Sequence, residues 1–358
     1  MNMLKNRIVK AQGYAEKQDV DAVLFFNLSN VRYLAGFTGS DGALVVGREA
    51  CWFLTDSRYT TQAAREVTGC PTIEYRIKLD GIAELLAGKG FRRVGFEAEH
   101  TTVALLTALT AKAPGVEFVP IGEDITSLRM VKDTGELDLL AETARIASEA
   151  LVSSLGGLRA GVVERDFALD LEFAMRRAGA DDKSFDFIVA SGERGSLPHG
   201  RASEKVIAAG ELVTIDFGAV FNGYHSDETV TVCVGEPDGR QREVYGIVKE
   251  AHDRAVAAVR PGVSFRDLDA IARGFIEEQG YGAFFGHGLG HGVGLDVHEK
   301  PVVSPRGEGV AEEGMVFTIE PGIYIPQWGG VRIEDTVAVT GDGHRLLTRV
   351  PKELIILS

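Results

Sequence analysis

Between Asp21 and about Pro120, short apolar runs alternate with stretches of helical period. DAVLFF (21–26), GALVVG (42–47) and CWFLT (51–55) read as strands, and Asp80–Gly90 and Thr102–Ala113 read as helices. This alternation predicts an α/β unit of domain size. Near Ile125–Lys132 the pattern changes, and an amphipathic helical stretch over roughly Asp133–Leu155 opens a second region that runs to Ser358. The expected domains are therefore 1–126 and 127–358.

The second region repeats itself. Arg159-Ala160-Gly161-Val162 with Arg165-Asp166 recurs as Arg260-Pro261-Gly262-Val263 with Arg266-Asp267. Thr214-Ile215-Asp216-Phe217-Gly218 recurs as Thr318-Ile319-Glu320-Pro321-Gly322, and Asp227-Glu228-Thr229-Val230 as Glu334-Asp335-Thr336-Val337. Each copy is predicted as helix, helix, strand and β-hairpin, with one acidic residue on each hairpin strand. The region is thus of α+β class. Copies of one unit commonly pack about a pseudo-two-fold axis, which would bring the two acidic pairs together at its centre.

Those acids carry the candidate chemistry. Asp216 and Glu320 end apolar strand sequences, and Asp227 and Glu334 open the next ones. Buried carboxylates need a cation, a proton or an ion-pair partner. Four around one axis carry −4, which two divalent cations cancel, and bridging carboxylates suit a two-metal site. A further ligand is available in Gly286-His287-Gly288-Leu289-Gly290-His291-Gly292-Val293-Gly294, whose alternating glycines exclude a stable helix. A helical HExxH zinc motif and a phosphate-cradling glycine loop are both excluded. Of the eight histidines, His199, His287, His291 and His298 lie in glycine-, proline- or acid-rich segments near this candidate site. A donor set rich in oxygen with a single imidazole favours harder metals, Mn2+ first, with Co2+, Fe2+ or Zn2+ also admissible. Arg332, two residues before Glu334, is expected on the same strand face and in an ion pair with a ligand carboxylate.

Composition narrows the partners. The formal charge of −14 argues against nucleic acid. No apolar run is long enough to span a bilayer, and MNMLKNRIVK lacks the apolar core of a secretory leader, so a cytoplasmic location is expected. Cys51, Cys70 and Cys233, odd in number and well separated, are expected to be reduced structural thiols.

Taken together, VTIDFGA…SDET, GHGLGHGVGLDVHE, TIEPGIYI and GGVRIEDT resemble the pita-bread metallopeptidase family, within it the aminopeptidase P and prolidase group. The resemblance spans essentially the whole chain and implies a creatinase-type N-terminal domain before the catalytic domain. It implies two divalent metal ions held by Asp216, Asp227, His291, Glu320 and Glu334, with Asp227 and Glu334 bridging. It implies hydrolysis of an Xaa-Pro bond, with Glu320, His199 and His298 in catalytic roles and His287, Tyr324 and Arg332 along the substrate cleft. A homodimer is also implied, because related enzymes place the loop corresponding to Asn30–Gly42 at a partner's cleft. One departure is Val230, where relatives commonly carry arginine. Two other readings on the same scaffold are a binding protein without catalysis and a creatinase-like hydrolase without metal. Retention of all five ligand positions disfavours both.

Overall fold

The computed structural model describes residues 2–358. Two compact units divide between Arg129 and Met130.

In the first unit, the three apolar runs form the strands Ala22–Phe25, Ala43–Gly47 and Cys51–Thr55. They belong to a six-stranded sheet in the order 72–74, 51–55, 43–47, 22–25, 93–97, 117–121. Strand 22–25 is antiparallel to 43–47 and parallel to 93–97. All of its residues are buried, which is why it reads as an unbroken apolar run. The helices Lys78–Gly88 and Val103–Lys112 match the helical stretches, and Thr102 caps the second by accepting from Leu105 N.

Two expectations for this unit are corrected. Asn30–Gly42 is not a projecting loop. Leu28–Ala35 is helical, capped by the Asn27 side chain and ended by Gly36 at φ 80°. Phe37 is 1% exposed and packs on Phe53 at 4.6 Å and Tyr59 at 5.7 Å, within its own unit. A Cβ at Gly39 would lie 2.3 Å from the Phe37 ring, so the glycine is needed for the fold-back. The cysteine expectation also fails: Cys51 and Cys70 form a disulfide, leaving Cys233 free and buried. Parallel pairing of 51–55 with 72–74, Phe53 opposite Thr72, brings the two cysteines together, a proximity that their sequence separation of 19 conceals.

The second unit repeats one order of elements. The first copy runs through helices Thr134–Ser154 and Glu164–Arg177, then strands Ile188–Ser191, Glu211–Phe217 and Glu228–Val234. Helices Gly239–Ala258 and Phe265–Glu278, then strands Gly290–Gly292, Val316–Ile319 and Asp335–Thr340, make the second. Both long helices open with a capping box, Asp133 with Glu136 and Asp238 with Gln241. Each copy has its own core. On Glu164–Arg177 the buried stripe is Phe167, Leu171 and Met175, and on Phe265–Glu278 it is Leu268, Ala272 and Ile276. The i, i+4, i+8 spacing places each stripe on one helix face against the sheet of its copy. Truncating one of the larger members to alanine costs about 2–5 kcal/mol.

In each copy the acids stand at the adjoining ends of two antiparallel strands, 211–217 with 228–234 and 316–319 with 335–340. Asp216 is the penultimate residue of 211–217, Glu320 follows 316–319, and Asp227 and Glu334 immediately precede 228–234 and 335–340. The expected shared strand for Arg332 and Glu334 is corrected as well. Gly329–Arg332 pairs with Gly322–Ile325, whereas Asp335–Thr340 pairs with 316–319, so the chain changes sheet between Arg332 and Asp335, and Glu334 lies in the connection. Val230 lies in the core of the first copy, on a strand paired in continuous register with 211–217. Among the described residues, no helix is long and apolar enough to cross a membrane.

Candidate metal centre

Strand ends from the two copies are laced together. Glu334 N donates to Thr229 O at 3.1 Å, Thr336 Oγ1 to Asp227 O at 2.7 Å, and Thr231 Oγ1 to Arg332 O at 2.9 Å. These bonds fix the carboxylates of one copy against those of the other. One ligand atom from each of Asp227, His291 and Glu334 falls within 4.8 Å of the other two.

His291 reaches this cluster because its strand is stripped of neighbouring side chains. A Cβ at Gly290 would sit 1.9 Å from Thr318 O, and one at Gly292 would sit 2.1 Å from Lys300 O. Only glycine lets the strand 290–292 slot between 316–319 and 299–303. His291 Nδ1 lies 3.1 Å from Gly292 O, and a carbonyl can only accept, so Nδ1 carries the proton. Burial lowers the pKa of the ring, keeping it neutral. Its Nε2 lone pair then faces Asp227 Oδ2 at 3.5 Å and Glu320 Oε1 at 3.4 Å. A lone pair set against two carboxylates is repulsive unless a cation or a shared proton lies between them.

The carboxylates point the same way. Burial pushes the pKa values of Asp227 and Glu334 well up, and that of Glu320 up, with like charges adding to the effect: Glu334 and Asp216 on Asp227, Glu320 and Asp216 on Glu334. Asp216 Oδ1 and Glu334 Oε1 are buried without a hydrogen-bond partner. Unsatisfied anionic oxygens around a neutral imidazole are a donor set for divalent cations, and these residues fit that occupant.

A polar chain runs beside the acids. Arg332, 3% exposed, donates from Nη2 to Asp216 Oδ2 at 2.6 Å, from Nε to Thr229 Oγ1 at 3.1 Å, and from Nη1 to Tyr324 OH at 2.8 Å and Pro198 O at 3.2 Å. The ion pair expected for Arg332 is thus made with Asp216. Tyr324 OH lies 2.9 Å from His287 Nε2. Because His287 Nδ1 faces Gly288 O at 2.8 Å, it is Nε2 that accepts from the tyrosine. Protons therefore point from Arg332 through Tyr324 to His287, whose pKa is lowered by burial. The His298 ring packs at a tilt of 50° against that of His291, with centroids 4.2 Å apart. His298 is an exposed residue, yet desolvation of its ring first, then His291 and His199, pushes its pKa down to about 4. His199 is exposed, next to the Pro198 carbonyl that binds Arg332.

Two threonines that sequence reasoning passes over, Thr229 and Thr318, support the cluster. Thr229 Oγ1 donates to Glu334 Oε2 at 2.6 Å while accepting from Arg332. Thr318 Oγ1 donates to Glu320 Oε1 at 3.2 Å and accepts from His291 N at 3.1 Å. Both lie inside the repeated segments, as Thr229/Thr336 and Thr214/Thr318, and that recurrence is the signal that marks them.

A laced pair of α+β copies closing on a carboxylate–imidazole cluster defines a metallopeptidase of the pita-bread fold. The chain matches Metallopeptidase family M24 over residues 138–341 and the Creatinase/Prolidase N-terminal domain over residues 7–131. It belongs to metallopeptidase family M24. It is 45% identical to the uncharacterized peptidase YqhT of Bacillus subtilis, over 94% of this chain and 96% of that one. To the Xaa-Pro dipeptidase of Pyrococcus furiosus it is 40% identical, over 98% of this chain and 100% of the relative. The solved Xaa-Pro dipeptidase from Bacillus anthracis superposes with a TM-score of 0.96 at 42% identity, covering 99% of this chain and 100% of that one.

Proposed function

We propose that this protein hydrolyses the bond between an N-terminal residue and a following proline, with Xaa-Pro dipeptides as preferred substrates and longer Xaa-Pro peptides as the alternative. The carrying observation is the His291 Nε2 lone pair held against Asp227 and Glu320 beside the orphaned oxygens of Asp216 and Glu334. The names of two relatives, both Xaa-Pro dipeptidases, support the choice of bond and of substrate length.

Asp216, Asp227, His291, Glu320 and Glu334 would hold two divalent cations, Mn2+ by preference of an oxygen-rich donor set. Such a pair supplies Lewis-acid polarisation of the scissile carbonyl and acidification of water. Glu320 takes a proton on a carboxylate oxygen as water attacks and returns it to the departing proline nitrogen. His298 and His199 offer imidazole N–H groups to the oxygen that gains charge during attack. Arg332 holds Asp216 and orients Tyr324, which in turn fixes the His287 ring at the substrate side.

A homodimer belongs to the same proposal and rests on the resemblance alone, since Phe37 is committed to its own unit. Light scattering tests it, with a mass near twice 38.5 kDa expected. A cytoplasmic location is weighed against by the Cys51–Cys70 disulfide, because cytosolic proteins rarely keep structural disulfides. The function itself is tested by comparing hydrolysis of Xaa-Pro, Xaa-Pro-Xaa and Xaa-Ala peptides by protein of analysed metal content. Cleavage of Xaa-Pro alone supports the dipeptidase reading. Equal cleavage of Xaa-Ala would overturn the proline specificity.

A further inference from the structure

Directly behind the candidate ligands lies a second acidic pair. Glu228 follows Asp227 and Asp335 follows Glu334 where each strand begins, and successive residues of extended chain face opposite sides. Glu228 and Asp335 are therefore turned away from the cluster, into the protein, with side chains 0% and 4% exposed. Each copy's long helix sends one side chain to its own acid. Ser148 Oγ donates to Glu228 Oε2 at 2.5 Å, and His252 Nε2 lies 3.2 Å from Asp335 Oδ2.

Among the described residues, Lys352 bridges the two acids. It follows the second copy and places Nζ 2.6 Å from Glu228 Oε1 and 3.3 Å from Asp335 Oδ1, itself 8% exposed. The segment carrying it adds Val350 N to Glu228 Oε1 at 3.0 Å and Thr348 Oγ1 to Asp335 Oδ1 at 2.6 Å.

We propose that Lys352 is a positioning residue for the metal centre: by tying Glu228 to Asp335 on the reverse face, it holds Asp227 and Glu334 at the spacing that binds cations. The proposal rests on the reading of Asp227 and Glu334 as metal ligands. Without the lysine, two buried carboxylates from different copies would face each other across a medium of low dielectric and repel. On the cluster side the strand ends that carry them are joined by hydrogen bonds such as Glu334 N to Thr229 O and Thr336 Oγ1 to Asp227 O, and Lys352 adds a tie on the reverse side. Separation of the reverse-face acids would be transmitted through one peptide unit to each ligand.

Co2+ titration of the chelated full-length protein, followed by visible absorption and calorimetry, tests this without reference to catalysis. The unaltered protein is expected to take up two equivalents. Lys352→Met, folded by circular dichroism, is expected to lose one or both, or to bind the second at least about tenfold more weakly, with an altered cobalt spectrum. Should Lys352→Met not fold, the double variant Lys352→Met/Glu228→Gln relieves the repulsion but still lacks the tie, and the same loss is expected. Unchanged stoichiometry, affinity and spectrum in whichever variant folds would overturn the role of Lys352 and leave the metal reading standing. Absence of Co2+ uptake by the unaltered protein would overturn the metal reading, and the role of Lys352 with it.

Discussion

Arg332 Nη2 donates to Asp216 Oδ2 at 2.6 Å, joining a residue of the second copy to a candidate ligand of the first. The same guanidinium binds Thr229, Tyr324 and Pro198, so one side chain sets four neighbours from both copies. Five donors in a planar fork make arginine the side chain suited to this position.

Replacing Arg332 with alanine is expected to destabilise the metal-free protein by about 3–5 kcal/mol, because it leaves Asp216 buried without its cation. Lysine, a single point charge, should recover less than half of that loss. Urea denaturation of chelated protein measures both. Stability of the alanine variant within about 0.5 kcal/mol of the unaltered protein would contradict the structural account.

Metal-free protein should grow less stable as pH rises from mildly acidic to alkaline. The folded pKa values of Asp227, Glu334 and Glu320 lie above their ordinary range, chiefly through burial. The folded state then binds protons more tightly than the unfolded chain. That contribution is fully present below the unfolded values near pH 4 and is lost as pH rises through the raised folded ones. Divalent metal needs the same groups deprotonated. The Tm gap between Mn2+-loaded and metal-free protein should therefore be wider at pH 8 than at pH 5.5. Calorimetry at the two pH values decides, and an equal gap would refute the charge assignment.

His298 should stay neutral throughout the working range. Its pKa is pushed down to about 4 by enclosure and by His291 and His199. An NMR titration of the ring should show no inflection between pH 6 and 8. Alanine in its place should lower kcat by about 100-fold, the scale of one lost oxyanion donor, while metal content stays unchanged. A parallel fall in metal content would make His298 a ligand instead.

Alanine at Gly290 should remove the site without touching any ligand. Its Cβ would lie 1.9 Å from Thr318 O, a backbone atom that cannot step aside. The strand 290–292 must shift, taking His291 with it. Loss of most Co2+ affinity in a protein that keeps its far-ultraviolet spectrum is the expected result. Full affinity would show that the strand has slack the structure denies it.

Much of this protein can be read along the chain, and the reason is locality. The strands at 22–25, 43–47 and 51–55, and the helices at 78–88, 103–112 and 134–154 announce themselves because pattern acts over a few residues. The helix Leu28–Ala35 is equally local, with Asn27 and Gly36 as its stops, but the aromatic and glycine residues that follow mask those caps. The internal repeat carries more, since three recurring segments in one order single out Asp216, Asp227, Glu320 and Glu334 before any contact is known.

What only the tertiary structure decided depends on pairings between distant segments. Which carboxylate Arg332 meets follows from the chain changing sheet between Arg332 and Asp335. Whether Cys51 and Cys70 are thiols or a disulfide follows from the parallel register of Phe53 on Thr72. That His291 presents Nε2 rather than Nδ1 to the acids follows from the Gly292 carbonyl and from two glycines that let three strands close up. The alternation of Asp227 with Glu228 and of Glu334 with Asp335 was written in the sequence. That Lys352 would join the second pair was not, because nothing local relates residue 352 to residue 228 until the strands are stacked.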